Sequence, residues 1–353
     1  MTPLRNFIAA LDERGKLKRI QEEVNCKYEI GALARKTRVP LLFENIKDYP
    51  NRRLFTNGLV DYASISVALG IQKEDVRFDD LAKAISRGFR NPIGPVLIDG
   101  LKTMENRTPR VIDLAVLPVP WWSEIDAGRY IGTWHLNISR DQETGVRNIG
   151  VYRMQIVASN RTTVSVSPRS HLALQIAKAE RKDEGLPMAV AIGVDERLVI
   201  SAASAPAYGI DEYSLAGGLA GRPVELVRCA TQPLEVPADS EIVIEGFIKP
   251  GVRIQDGPFL DYAGIASTNP YAHLFEVTGL LFRDDFIFRG TAVGCPGAED
   301  HLLYSLLSHA NLADFHGSRI RHFMQNFLLR RRAFNLFQLS GRIGSLIARK
   351  ERN

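Results

Sequence analysis

The chain has 353 residues, 45% of them apolar and 24% charged, which excludes a disordered or low-complexity protein and leaves room for two domains with a sizeable core. Its apolar runs are strand-sized, as in "MAVAIGV" (188–194), and well short of the roughly 18 residues of a membrane span. The net charge of +5 is not a nucleic-acid signature: Arg319 to Asn353 holds nine Lys or Arg against one Glu, a balance of +8 that leaves −3 for residues 1–318.

The opening "MTPLRNFIAALDERG" lacks the basic, apolar, small-residue order of a secretory signal, so the expected location is the cytoplasm. Thr2 and Pro3 form an N-cap and first-turn pair, and Leu4, Phe7, Ile8 and Leu11 recur at helical spacing as far as Gly15, which predicts an opening helix. "VPLLFENI" (39–46) reads as a buried strand, "SISVALGI" and "FDDLAKAISRGF" as short helices, and "PVLIDG" as a closing strand, so residues 1–106 are expected to form a small α/β domain. "RTPRVIDLAVLPVPWWSEIDAGRY" (107–130) is rich in proline and turn residues and suits a linker with a functional edge.

From Arg147 to Val293 the reading is β-rich: "GVYRMQIV", "TTVSVSP", "MAVAIGV", "LVISAAS", "VELVRCA", "SEIVIEGFI", "EVTGLLF" and "FIFRGTAV" predict an antiparallel sandwich or barrel. One helix, "SHLALQIAKAERK" (170–182), interrupts it. Glu299 to Leu339 contains no proline and repeats apolar residues at helical spacing, which predicts two or three helices. The expected class is α+β, with domains at 1–106 and 107–298 and a helical segment at 299–353.

Cys26, Cys229 and Cys295 are too far apart for a disulfide framework or a Cys-x-x-Cys zinc site and read as buried free thiols. The P-loop, the nucleophile elbow and the zinc-protease helix are all absent, and "GGLAG" (217–221) lacks dinucleotide-fingerprint spacing. His301, His309, His316 and His322 do not share one helical face and read as surface or capping residues.

A set of polar residues within the apolar strands carries more chemistry. Asn148 and Arg153 flank "IGVY", His171 opens the lone helix, and Glu212 follows the loop "APAYGID"; oxygen and nitrogen donors of this kind suit Mg²⁺ or Mn²⁺. The ordinary alternatives stand beside that reading: Asn148 in a turn, His171 near a helix start, and Glu212 in an acidic first turn. Arg153, on a strand between Val151 and Met154, needs a carboxylate if it points inward, and Asp256 and Asp261 are available. If Gly257-Pro258 folds both acids toward Arg153, their mutual repulsion raises at least one pKa, as a proton donor requires. Equally, Asp256 caps the turn and Asp261 faces water.

"TGVRNIGVYRMQIV", "YGIDEYSLAGGLAGRPVELV", "VPADSEIVIEGFIKPG" and "DGPFLDYAG", with "LRNFIAALDERGKLKRI" and "LLFENIKDYP", resemble the UbiD family of decarboxylases over about residues 4 to 300. The resemblance implies prenylated FMN, made by a partner flavin prenyltransferase and bound on a split β-barrel of flavin-reductase-like type. It implies non-oxidative, reversible decarboxylation of an α,β-unsaturated or aromatic carboxylic acid through a covalent adduct with that cofactor. By position, Asn148, His171 and Glu212 match the family's divalent-metal ligands, for Mn²⁺ or Mg²⁺ at the cofactor phosphate. A potassium ion is implied on carbonyls of the loop "SAASAPAYG". Ile149, Gly150, Val151, Tyr152, Arg153 and Ser170 join those ligands in the cofactor site, and Arg153, Asp256 and Asp261 match the Glu-Arg-Glu catalytic network. Asp261 is then the acid that protonates the carbon losing CO₂.

Two residues depart from the family pattern. Asp256 stands where Glu is usual, shortening the reach by about 1.5 Å, and Leu260 stands where a small Gly is common. The family's usual C-terminal domain is expected to be absent or replaced. The basic tail reads as a helix packing on a neighbouring subunit of a homodimer or higher homo-oligomer, with lipid contact as the second reading. A non-catalytic or regulatory flavin-binding subunit and, behind it, a metal-dependent hydrolase are the competing functions.

Overall fold

The computed structural model describes residues 2–99, 107–109, 112–294 and 297–314. The chain divides into two compact units, Met1–Ser308 and His309–Asn353. Eight α-helices and fifteen strands occur among the described residues, labelled here in chain order. The class is mixed α+β.

Helix α1 (Pro3–Glu13) forms where the sequence predicts it. Thr2 Oγ1 accepts from Arg5 N at 3.4 Å, Pro3 supplies a preset φ at the first turn, and Leu4, Phe7, Ile8 and Leu11 are buried on one face. Arg5 then fastens the helix to the sheet, its Nε and Nη2 donating to the buried Glu241 at 2.8 and 2.7 Å. Strands β1 (Lys18–Ile20), β2 (Leu41–Phe43) and β3 (Arg53–Thr56) follow, with α2 (Glu29–Lys36) between the first two. Helix α3 (Tyr62–Leu69) is closed by an Asp61–Ser64 capping box and by Gly70 in the left-handed region, and α4 (Phe78–Arg90) succeeds it. Strand β4 (Val96–Leu97) ends this part.

The main sheet is built from β5 (Arg107–Pro109), β6 (Leu136–Arg140), β7 (Arg147–Gly150), β8 (Ile156–Ala158), β9 (Arg161–Val164), β10 (Leu186–Ile192), β13 (Ile242–Leu260) and β14 (Ala266–Arg283). Its order is β7-β6-β10-β13-β14-β9-β8, with β5 also on β14, and every pairing is antiparallel. The start of β13, residues 242–248, is buried but for the half-buried Phe247: β10 and β14 flank it in the sheet and α5 (His171–Glu180) packs on it. From Gly251 to Gln255 it alternates between exposed and half-buried positions, and at Asp256, Gly257 and Phe259 it is buried again.

Three features differ from the sequence reading. "LVISAAS" forms not a strand but helix α6 (Glu196–Ala203), capped by Asp195, whose carboxylate accepts from Arg197 N at 3.0 Å. With α7 (Glu212–Ala220), also capped by an aspartate, three helices rather than one interrupt the strands. "GVYRMQIV" is broken: β7 ends at Gly150, β8 starts at Ile156, and Arg153 lies between them. Finally, β11 (Glu225–Arg228) pairs with β12 (Glu235–Pro237) and, in parallel, with β4, while β15 (Ile287–Arg289) pairs in parallel with β3 and completes the sheet β1-β2-β3-β15. The two ends of the described chain thus share sheets.

Of the expected C-terminal helices, α8 (Glu299–Asp314) is present; residues 315–353, with His316, His322 and the basic tail, lie outside the described residues, as does Cys295. Cys26 is buried and Cys229 half-buried, both as free thiols. No helix among the described residues is long and apolar enough to cross a membrane.

Candidate active site

Residues 151–154 leave the sheet, and neighbouring groups hold them in place. Tyr152 N donates to Asn137 Oδ1 at 2.9 Å, Ser165 N to Arg153 O at 3.0 Å, and Ile131 N to Met154 O at 2.9 Å. That anchoring sends the Arg153 side chain across both strands of the β13–β14 hairpin. Its Nε donates to Asp256 Oδ1 on β13 at 2.6 Å and its Nη1 to Ser267 Oγ on β14 at 2.7 Å, with the guanidinium carbon 5.2 Å from the centre of the Phe259 ring. Arg153 therefore meets a carboxylate, the partner expected of it if it pointed inward, although it lies between strands and not on one.

Asp256 is fully buried, with Thr163 Oγ1 donating to its Oδ2 at 2.5 Å. Burial raises its pKa above the ordinary aspartate range, against the opposing pull of the Thr163 hydroxyl and the Arg153 charge. Asp261 contributes nothing to that shift. The Gly257–Pro258 peptide is cis, but β13 continues to Leu260, so this bend does not bring the two acids together. The hairpin turn comes later: Asp261 N donates to Ile265 O at 3.0 Å, and the half-buried Asp261 carboxylate accepts from Ala263 N at 2.9 Å. Among the described residues Asp261 bonds to no other side chain.

The metal and cofactor candidates converge. Asn148, Ile149, Gly150, Val151, Tyr152, Ser170, His171 and Glu212 all line one cleft of about 490 Å³, together with Arg169 and the end of α6. Two helix starts frame it: Ser170 caps α5, accepting from Ala173 N at 3.2 Å, and Asp211 caps α7 while pairing with Arg147 at 3.1 Å. Glu212 is buried, its Oε2 accepting from Ile149 N at 3.2 Å, and burial pushes its carboxyl up to about 7. Asn148 is also buried, and His171 stands edge-on to Tyr208 with ring centres 5.2 Å apart. No group of three or more His, Cys, Asp or Glu that could hold a metal occurs among the described residues. The expected set is one carboxylate, one imidazole and one amide, an oxygen- and nitrogen-donor mixture that suits a hard divalent cation. Of the nine expected cofactor-site residues only Arg153 is not on the cleft wall, and it follows Tyr152 directly.

Sequence reasoning did not find Thr163, Ser267, Gln155 or Asp126. Gln155 Oε1 accepts from Gly257 N at 3.1 Å and from Tyr130 Oη at 3.2 Å, and Asp126 Oδ1 accepts from Leu260 N at 2.8 Å. Thr163, Gln155 and Asp126 act on residues 256–260 from distant parts of the chain, and Ser267 meets Arg153 across 114 positions, where no spacing rule reaches.

A cleft beside a sheet, walled by a few polar groups and followed in sequence by a paired arginine, has the form of a small-molecule site. Residues 100–296 match the 3-octaprenyl-4-hydroxybenzoate carboxy-lyase Rift-related domain and residues 8–85 the N-terminal domain of the same enzyme, so the chain belongs to the UbiD family. It is 30% identical over 307 residues to a phenolic acid decarboxylase of Bacillus subtilis (strain 168), covering 84% of this chain and 64% of that protein. It is 31% identical over 300 residues to an anhydromevalonate phosphate decarboxylase of Methanosarcina mazei, covering 85% and 66%. The chain thus spans just under two thirds of the length of these curated relatives. Among solved structures it is similar to an evolved dimeric form of the UbiD-class enzyme HmfF from Pelotomaculum thermopropionicum in complex with prFMN, with a TM-score of 0.81, 33% identity, and coverage of 89% of this chain and 72% of that one.

Proposed function

We propose that this chain is a prenylated-FMN-dependent decarboxylase that removes CO₂, reversibly and without oxidation, from an α,β-unsaturated or aromatic carboxylic acid. The observation that carries the reading is Arg153. It uses two of its five N–H donors on Asp256 and Ser267, and the rest are open to a substrate carboxylate beside the cleft. Relatives named for decarboxylation of chemically different acids support the reaction class and leave the acid open. The prFMN complex of HmfF supports the cofactor.

When bound, the modified flavin supplies a sink for the electron pair left as CO₂ departs. Arg153 orients the carboxylate, and the buried Asp256 holds the guanidinium in place. Asp261, reachable from solvent and bonded to no other side chain, returns a proton to the carbon that lost CO₂. Asn148, His171 and Glu212 would hold Mn²⁺ or Mg²⁺ against the cofactor phosphate, and Arg169 with the start of α5 gives that end of the cleft a positive character. Ile149 to Tyr152 and Ser170 would line the cofactor, and carbonyls of residues 201–209 would take K⁺. In this reading the eight-stranded sheet is the flavin-reductase-like split barrel, a flavin prenyltransferase supplies the cofactor, and the working form is a homo-oligomer in the cytoplasm.

Protein co-expressed with a flavin prenyltransferase is expected to carry prenylated FMN, seen by absorption and intact mass, with a divalent metal. In D₂O it should release CO₂ and place deuterium at the vacated carbon of an accepted acid. Bound cofactor with neither CO₂ release nor deuterium incorporation across aromatic and α,β-unsaturated acids would leave a flavin-binding subunit instead. Hydrolytic activity with metal and no flavin would overturn the proposal.

A further inference from the structure

The segment that carries Asp261 is gripped from a part of the chain to which the chemistry above assigns no role. Asp126 is 4% exposed, and its Oδ1 accepts from the N–H of Leu260, the residue before Asp261, at 2.8 Å. Next to it, Ala127 N donates to Pro258 O at 2.7 Å. The 121–127 segment is itself fixed: Trp121 N donates to Cys26 O and Tyr28 N to Trp121 O, both at 2.9 Å, and Trp121 Nε1 donates to Asp126 O at 2.7 Å. Arg35 on α2 donates to Trp122 O, and Gly31 allows that approach, since a Cβ there would stand 1.9 Å from Trp122 O. A continuous path of contacts runs from α2 to the tip of the β13–β14 hairpin.

We propose that Asp126 is a positioning residue, whose carboxylate clamps the Leu260 amide and so fixes where Asp261 presents its acid. The kinetic consequence rests on the decarboxylase reading above; the clamp itself does not. Its Oδ2 has no hydrogen-bond partner among the described residues, and burial pushes the carboxyl up to about 6, opposed by Arg35 from α2 and Arg153 from the β7–β8 connection, with the Tyr130 phenol also facing it. A buried acid with one empty oxygen is a costly way to fill space, and the bond to Leu260 is what its other oxygen does.

The test is amide hydrogen exchange on the cofactor-free protein, alongside kcat and KM of the loaded enzyme. In the wild type the Leu260 amide should exchange at least about tenfold more slowly than the Ala263 and Gly264 amides, which bond only to Asp261 within the same exposed turn. Asp126→Ala should remove that protection and lower kcat by about tenfold or more while KM stays within about threefold, and Asp126→Asn, which keeps an acceptor oxygen, should restore both. Fast exchange at Leu260 in the wild type overturns the proposal even if no variant folds. So does an Asp126→Asn protein that exchanges as fast as Asp126→Ala. A protected, clamped loop in a protein that turns over no acid would sink the decarboxylase reading and leave the clamp standing.

Discussion

Two arginines divide the molecule's charge chemistry between them. Arg289, on β15, is 1% exposed and uses all five N–H donors: Nε to Glu196, Nη1 to Gly290 O and Glu299, Nη2 to both glutamates. Trp134 Nε1 also donates to Glu196 Oε2, and the backbone amides of Asn57 and Leu59 to the two Glu299 oxygens. Arg153, 16% exposed, has one carboxylate and one hydroxyl. A saturated guanidinium is a structural joint with no donor left over, whereas one with N–H groups to spare, next in sequence to the cleft-lining Tyr152, can still bind. Burial and pairing alone would have ranked Arg289 first; counting donors reverses the order.

The same deletion at both positions tests this contrast. Arg289→Met strands two buried carboxylates and is expected to lower stability by about 3–5 kcal/mol in urea unfolding. Arg153→Met strands one, already inclined to hold its proton, and should cost less, about 1–3 kcal/mol, while turnover falls by about a hundredfold or more. Equal stability losses, or an active Arg153→Met enzyme, would break the comparison. Asp261→Asn should fold with a change within about 0.5 kcal/mol and still lose about a hundredfold in turnover; normal turnover would remove Asp261 from the proton path.

The smallest effect concerns the buried His135. Burial pushes His135 down from 6.5 to about 4. Its folded pKa is depressed, so the stability it contributes is present above pH 6.5 and is lost as pH falls toward 4. Melting temperature should therefore drop across that window in the wild type and drop less in His135→Asn.

Local chemistry was readable and long-range pairing was not. The Thr2 cap and the α1 stripe follow motifs confined to one short stretch, whereas Asn148, His171 and Glu212, which line one cleft, were grouped by the family resemblance. The strand expected at "LVISAAS" failed because a short apolar run has no period that separates a buried strand from a buried helix; the cue was Asp195, poised to cap. That Arg153 needed an acid could be read from its apolar neighbours. That Asp256 is the one it meets could not, because β13 runs straight on through Gly257 and Pro258 where a returning turn was expected. Thr163 meets Asp256, Ser267 meets Arg153 and Asp126 meets Leu260 across 93, 114 and 134 positions, separations that only the assembled fold can close.

The placement of β15 has a consequence for biosynthesis. Strand β3 finds its parallel neighbour only when residues 287–289 have been made, so a ribosome that has released the first hundred residues has released an unfinished sheet with an open edge. The nascent N-terminal region must wait for nearly two hundred further residues before it can close, and a chain interrupted between them would expose that edge to whatever else in the cell offers a strand.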